Sequence, residues 1–352
     1  MVRRRTCSDR ATSSARPCAP PTIASVNPRR LAALLLAAAL VLVVGAPAQA
    51  ATVDPRLTQK LYVEPAGSAY AAAKAARKAG KVATAKKLEV ISRTAQGKWI
   101  GDWAGAKQTR TEVRTYVKAA AKAKRTPLVV VYAVPGRDCG GQSAGGLAAD
   151  SYKTWIRGVA AGLKDGAVKS RSRALVALEP DSLMMDCAGS SRSALITYAA
   201  KTLAATGAWV YLDAGHSNWR TPADTATRLK AAGIRYARGF FTNVSNFNAT
   251  SAEKRYATKV GASLKAKGLT AAHRHYVIDT SRNGRATANG QWCNPPKQGL
   301  GAKPSLSTSK GALDGYLWVK RPGESDGACN GGPGAGQWWQ AYALDLVKYR
   351  KG

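Results

Sequence analysis

The stretch Val176-Ala-Leu-Glu-Pro-Asp181 closes an apolar run with two carboxyls, Glu179 and Asp181, separated by a proline that fixes the local chain direction. Asp138 follows an earlier apolar run in Arg137-Asp138-Cys139, and Asp326 ends a later one in Lys320-Arg-Pro-Gly-Glu-Ser-Asp326. Carboxyls brought together from separate strand ends suit a reaction in which one acid protonates a leaving oxygen and a second carboxylate activates water. Glycosidic bond cleavage needs such a set. The donor must keep its proton near neutral pH, and burial or a neighbouring carboxylate supplies the raised pKa. Asp138 is a candidate neighbour for that purpose. The competing reading, that Glu179 or Asp181 caps the next helix, suits a lone Asp; here several strand ends agree.

Those carboxyls need a scaffold that brings them to one mouth. Six short apolar runs are candidate strands: Leu128 to Tyr132, Ala174 to Leu178, Trp209 to Leu212, Gly239 to Phe241, Tyr276 to Ile278 and Tyr316 to Val319. Most are separated by enough chain for a helix, so a repeated strand and helix order is the simplest reading. Lys98-Trp99-Ile100-Gly101 is a further, first strand, and Ala66 to Lys87 has helical propensity. Polar residues follow each run, among them Asp213 to His216, Asn243 to Asn246 and Asp279 to Arg282. The C-terminal strand ends of a β/α barrel are where such groups converge. Trp99, Trp219, Trp292, Trp338 and Trp339 add aromatic faces of the kind that stack on sugar rings, with Trp338 and Trp339 expected to pack the last helix. There is no Gly-x-Ser-x-Gly elbow, no serine partner for Asp213-Ala-Gly-His216 and no phosphate-cradling Gly-x-x-x-x-Gly-Lys-Ser/Thr loop.

The chain has 352 residues, 45% of them hydrophobic, enough for one large α/β domain. Arg29-Arg30, an uncharged run from Leu31 to Val44 and then Pro47-Ala48-Gln49-Ala50 have the pattern of a secretory signal, with cleavage expected after Ala50. The apolar run is short for a membrane span of about 20 residues. Residues 1–50 are therefore expected to be a leader, and 51–352 a secreted, extracellular catalytic domain without stable membrane association. The formal charge of +34 falls to +28 without the leader, which carries seven Arg and one Asp. Nucleic acid or an acidic polymer would suit that charge. The cations are instead spread along helices without interleaved aromatics, so no specific nucleic-acid partner is expected. Four cysteines remain after the leader, Cys139, Cys187, Cys293 and Cys329. In an exported chain they read as two disulfides, with three connectivities open. No Cys-x-x-Cys pair is present and the histidines are His216, His273 and His275, so no metal site and no cofactor is expected.

From about Leu61 onward the chain resembles glycoside hydrolase family 6, the cellulases that invert the anomeric centre. The resemblance is carried, in order, by Val131-Tyr-Ala-Val-Pro-Gly-Arg-Asp-Cys139, Leu178-Glu-Pro-Asp-Ser-Leu183, Tyr211-Leu-Asp-Ala-Gly-His216, Thr242-Asn-Val-Ser-Asn246, Ile278-Asp-Thr-Ser-Arg-Asn-Gly284, Gln291-Trp-Cys-Asn294 and Trp318-Val-Lys-Arg-Pro-Gly-Glu-Ser-Asp-Gly327. It implies a distorted, partly open β/α (TIM-like) barrel with its cleft at the C-terminal strand ends. It also implies that Asp181 is the proton donor, that Asp138 raises the donor's pKa and helps relay a proton from water, and that Asp326 is the proposed base. Tyr132 is implied beneath the distorted sugar. Trp99, Asp213, His216, Trp219, Asn246, Trp292, Lys320 and Glu324 are implied to line or bind the β-1,4-glucan. The implied bridges are Cys139 to Cys187 and Cys293 to Cys329.

Two departures bear on the expectation. Ala133 and Gly136 stand where some members carry more polar residues, and Ser143 is the nearest candidate for the serine beside Asp138. Only Gly327 to Gln337 joins the Asp326 motif to the last helix, where tunnel-forming members carry a long covering loop. A short loop favours a bacterial-type endo-β-1,4-glucanase, acting as a monomer, over a cellobiohydrolase. A non-catalytic, basic wall-binding protein is the rival from another class.

Overall fold

Alternation along the strands divides their side chains between two cores. Leu128, Val130, Leu175, Ala177, Tyr211, Phe241, Val277 and Leu317 share one cluster, while Val129, Val131, Val176, Leu178, Val210, Leu212, Phe240 and Ile278 belong to another. With a period of two, the first set faces the inside of a curled sheet and the second faces surrounding helices. The computed structural model describes residues 54–187, 189–285, 290–307 and 311–350, so the leader expected over 1–50 lies outside the described residues.

The strands are β1 (Lys98–Gly101), β2 (Leu128–Tyr132), β3 (Leu175–Leu178), β4 (Trp209–Asp213), β5 (Gly239–Thr242), β6 (His275–Asp279), β7 (Ser305–Leu306) and β8 (Leu313–Leu317). They form one sheet in the order β1-β2-β3-β4-β5-β6-β8-β7, parallel except for β7 against β8. Strand β8 and strand β1 do not pair as a ladder. The Gly97 N–H donates to the carbonyl of Trp318 at 2.8 Å, and the Trp99 indole N–H donates to that of Val319, also at 2.8 Å. This is a distorted, partly open β/α barrel. The last strand lies earlier than the expected Tyr316 to Val319, because Val319 and Lys320 already turn over the mouth, and β7 carries too little pattern in two residues to be read from sequence.

The helices are α1 (Pro55–Thr58), α2 (Ser68–Lys78), α3 (Val82–Ser92), α4 (Ala106–Lys122), α5 (Ala149–Asp165), α6 (Ser190–Ala204), α7 (Pro222–Ala231), α8 (Thr250–Ala266) and α9 (Gln340–Lys348). The single helical stretch expected over 66–87 is broken in two by Gly80, whose φ of 69° ends α2 in the left-handed region. Helices α2, α3 and α9 pack around Leu88, Ile91, Trp318 and Leu346, with Trp338 and Trp339 against that cluster as expected. Helix α5 presents Gly158, Gly162 and its C-cap Gly166 to α4; a methyl group there would lie 2.6 to 2.7 Å from the carbonyl oxygens of Ala106, Arg110 and Arg114.

The N-terminal end of the barrel is closed by polar side chains. Asp314 accepts from the Tyr211 hydroxyl at 2.8 Å and from both ends of the Arg238 guanidinium at 2.9 Å, and it meets His275 Nδ1 at 2.9 Å. Trp209 lies between two guanidinium groups, Arg56 at 4.3 Å and Arg238 at 3.9 Å from the ring.

Candidate active site

Four strands end in an inward-facing polar residue at the top of the barrel, and these hold the loops above them. Glu179, just past β3, accepts the backbone N–H groups of Ala133 (2.8 Å) and Val134 (3.0 Å) from the loop after β2. Asp213 accepts from Gly215 and Leu183 at 2.9 and 3.3 Å, and Asp279 from Ser281 and Lys320, both at 2.8 Å. The side chain of Asn243 donates to the Asp279 carbonyl at 2.9 Å and accepts from the Asn248 N–H at 3.1 Å. Burial pushes the Glu179 carboxyl up to about 7 and those of Asp213 and Asp279 up to about 6, although each collects N–H donors that favour the charged form. Neither Glu179 nor Asp181 caps a helix: α6 starts at Gly189 without a side-chain cap.

Above that floor lie the groups with chemistry. Asp181 stands two residues beyond Glu179, with φ of 65°, and Asp138 has φ of 56°. Left-handed backbone at non-glycine residues costs of order 1 kcal/mol each and gathers at functional sites. Burial raises the Asp181 carboxyl well above the usual range, and the carboxylates of Asp213 and Asp138 add to the shift. Asp138 Oδ2 accepts from the N–H and hydroxyl of Ser143 at 2.7 and 3.0 Å, and that hydroxyl lies 2.7 Å from the hydroxyl of Tyr132. Ser143 is therefore the serine beside Asp138. Asp326 is the electrostatic opposite of Asp181. Burial alone would raise it, but Arg282 Nη1 at 2.8 Å and Lys320 Nζ at 3.2 Å hold it below the ordinary value. Asn294 N–H donates to the same carboxylate at 3.1 Å.

Loops after β2 and β3 are tied by the Cys139–Cys187 bridge and by Arg192, which donates to the carbonyls of Gly136 (2.7 Å) and Ser182 (3.3 Å). Loops after β6 and β8 are tied by Cys293–Cys329 and by Asn294, which donates to Ser325 Oγ and the Gly327 carbonyl. Between these walls runs a groove of about 1100 Å³. It is lined by Tyr132, Asp138, Asp181 and Asp326, and also by Trp99, His216, Trp219, Asn246, Trp292, Lys320 and Glu324. Asp213 is the exception. It is 2% exposed and lies in the floor, not the lining, because its strand parity turns it inward, so direct contact with substrate gives way to holding the loop of Asp181. Trp99 packs edge-on against Tyr132 at 5.1 Å. His216 packs at a tilt of 34° against Trp219 at 5.5 Å, and burial lowers its imidazole to about 4, leaving it neutral at pH 7.

Sequence reasoning missed several residues. Trp103 lines the groove at 60% exposure with its ring resting on Gly101, a position that invites an apolar ligand face; the signal was a second Trp four residues after Trp99. Arg282 is wholly buried; it stands in the polar run and the motif after Ile278, but neither gives it a role. Arg137 joins Asp102 at 2.7 Å and lies 4.5 Å over the Tyr132 ring, fixing the Asp138 loop to the end of β1. Among the described residues no group of three or more His, Cys, Asp or Glu is placed to hold a metal ion.

The profile of Glycosyl hydrolases family 6 matches residues 57–350. The chain is 43% identical over 297 residues to Endoglucanase A of Cellulomonas fimi, covering 84% of this chain but 62% of that protein, less than two thirds of its length. It is 37% identical over 332 residues to Endoglucanase 1 of Streptomyces halstedii, covering 91% of this chain and 98% of that one. The structure is similar to that of the endoglucanase Cel6 from Mycobacterium tuberculosis in complex with methyl-cellobiosyl-4-deoxy-4-thio-β-D-cellobioside, with a TM-score of 0.75 and 38% identity, over 84% of this chain and 98% of that one.

Proposed function

The chain belongs to glycosyl hydrolase family 6, and from that membership we propose that it is a secreted endo-β-1,4-glucanase cutting internal bonds of cellulose-type β-glucan with inversion. The observation that carries the reading is the contrast between two groove carboxyls, Asp181 pushed toward its protonated form by burial and by the Asp213 and Asp138 carboxylates, and Asp326 paired with Arg282 and Lys320. In this reading a glucan ring lies over Tyr132, and Asp181 gives its proton to the leaving oxygen. Water attacks the anomeric carbon from the other face, and its proton must leave. Asp326, already paired with Arg282 and Lys320, is a reluctant acceptor and instead stabilises the positive charge that develops on the sugar. Ser143 and Asp138 offer the better relay, since the serine hydroxyl can pass a hydrogen bond from water to carboxylate. Trp99, Trp219 and Trp292 supply sugar-stacking faces along the groove, and Lys320, Glu324, His216 and Asn246 its polar contacts.

The signal pattern over 29–50 supports export, with residues 51–352 as the working domain. The test is to incubate the protein with carboxymethyl cellulose while following viscosity and reducing ends together, with Asp181→Ala alongside. Rapid viscosity loss ahead of reducing sugar, abolished in the variant, is expected. Reducing ends without early viscosity loss would mean a cellobiohydrolase, and no turnover of any β-glucan would mean a binding protein.

A further inference from the structure

Trp103 is 60% exposed, more than the 48% of Trp292, yet its place is fixed. Asp102, the residue before it, accepts from Arg137 Nη1 and from the Gly146 N–H, both at 2.7 Å. Its ring lies across Gly101, where a methyl group would come within 2.1 Å of the indole. Gly101 pairs in register with Tyr132, so the ring rests at the end of β1 beside the strand that carries the Tyr132 face. A single exposed indole is ordinary on a protein surface. This one lines the groove, whose wall continues past Trp99 with Lys98, Glu112, Ser68 and Arg321, on the side where β1 and β8 do not pair as a ladder. Lys98 Nζ lies 3.1 Å from Glu64 and 3.2 Å from Glu112, and all three side chains are partly exposed, open to hydrogen bonds from sugar hydroxyls. Strand order sets the direction of a bound chain. Trp99 and Trp103 belong to β1 and its end, Tyr132 to β2, Asp181 to the end of β3, and His216 and Trp219 to the end of β4. With the reacting ring over Tyr132 and its leaving oxygen at Asp181, the departing part of the glucan runs toward β4. The part that ends in the non-reducing terminus runs back over β1.

We infer that Trp103 is a specificity-determining residue whose indole carries one further glucosyl ring on the non-reducing side, beyond the ring that meets Trp99. The inference rests on the proposed glucanase activity. The apolar face of a glucosyl ring matches a flat indole held against backbone, and Gly101 is part of the site because any side chain there would lift the indole away. Binding so far from the reacting atoms leaves the chemistry alone and decides which linkage lies at Asp181. A chain of five rings can lie with three rings before the cut and two after it, or with two before and three after. Only the first register places a ring on Trp103, and so Trp103 favours it.

The measurement is the register in which cellopentaose, labelled at its reducing end with heavy oxygen, is cut, read by mass spectrometry as the ratio of labelled cellobiose to labelled cellotriose. Both products arise from one substrate at one active site, so a change in overall rate cancels. Trp103→Ala should lower the ratio about tenfold, the scale of one stacked ring. Trp103→Phe keeps a flat apolar face and should lower it by about threefold at most. A Trp103→Ala ratio equal to wild type would overturn the inference, as would a Trp103→Phe ratio as low as that of Trp103→Ala, since the loop and not an aromatic face would then set the register. Failure of the unaltered protein to cut cellopentaose or any longer β-glucan would sink the glucanase reading itself, a different result from an unchanged ratio.

Discussion

Burial sets the charge of the carboxyls under the groove before any ligand arrives. Glu179 titrates near 7 in the folded protein and near 4.5 when exposed, so between those values the folded state holds a proton that the unfolded state has lost. Its contribution to stability is complete below about pH 4.5 and is lost as pH rises toward 7, at about 1.4 kcal/mol per pH unit for one proton. A glutamine in its place cannot titrate yet keeps an acceptor oxygen for the Ala133 and Val134 N–H groups. Glu179→Gln should therefore flatten the fall of the melting temperature between about pH 4.5 and 7; an unchanged slope would show that Glu179 is already ionised in the folded state. The distinction between floor and lining is also where the sequence stops being readable. Asp138, Asp181 and Asp326 are visible as acids after apolar runs, but so is Asp213, and type alone does not separate them. Strand parity separates these acids: Glu179, Asp213 and Asp279 end their strands on the inward side and are buried, while Asp181 reaches the groove past Glu179 and His216 past Asp213.

The helices show the same limit at the scale of the element. Helix α4 is legible from its apolar spacing, with Val113, Tyr116, Val117 and Ala120 buried on one side. The closeness of its contact with α5 is not, since Gly158, Gly162 and Gly166 look like weak points in a helix until α4 is laid against them. Gly→Ala in a helix ordinarily stabilises by about 1 kcal/mol. At Gly158 the new methyl would meet the Ala106 carbonyl oxygen at 2.6 Å, backbone that cannot turn aside. Gly158→Ala should instead destabilise by about 1–3 kcal/mol, measured by urea unfolding; a gain would mean that the two helices can part without loss. The strands were easier to read than the loops, because a parallel strand buried on both faces is a continuous apolar run, whereas the paths of loops 136–146 and 320–337 are set by partners such as Arg192, Asn294 and Gln142 that lie far away in sequence.

For the whole molecule, charge and the proposed substrate part company. A neutral glucan offers nothing to the net +28 of residues 51–352, and Lys107, Arg114, Lys118 and Lys122 stand exposed along α4. Adsorption to a carboxylated polymer should fall about tenfold or more between roughly 20 and 500 mM salt, while adsorption to unmodified cellulose should hardly move; equal salt responses would remove the electrostatic explanation. The two disulfides joined in the order the resemblance implied, a choice that spacing alone left open among three. The plug at the N-terminal end of the barrel has a bearing on how the molecule can be handled. Arg56 is one of the two guanidinium groups enclosing Trp209, and it also reaches Asp54 and the Gly207 carbonyl. Trimming, tagging or fusion that stops short of Asp54 leaves this seal whole, whereas a cut beyond Arg56 leaves Arg238 as the one guanidinium against the indole. The safe margin for engineering at this end thus finishes at Asp54, well before the first strand.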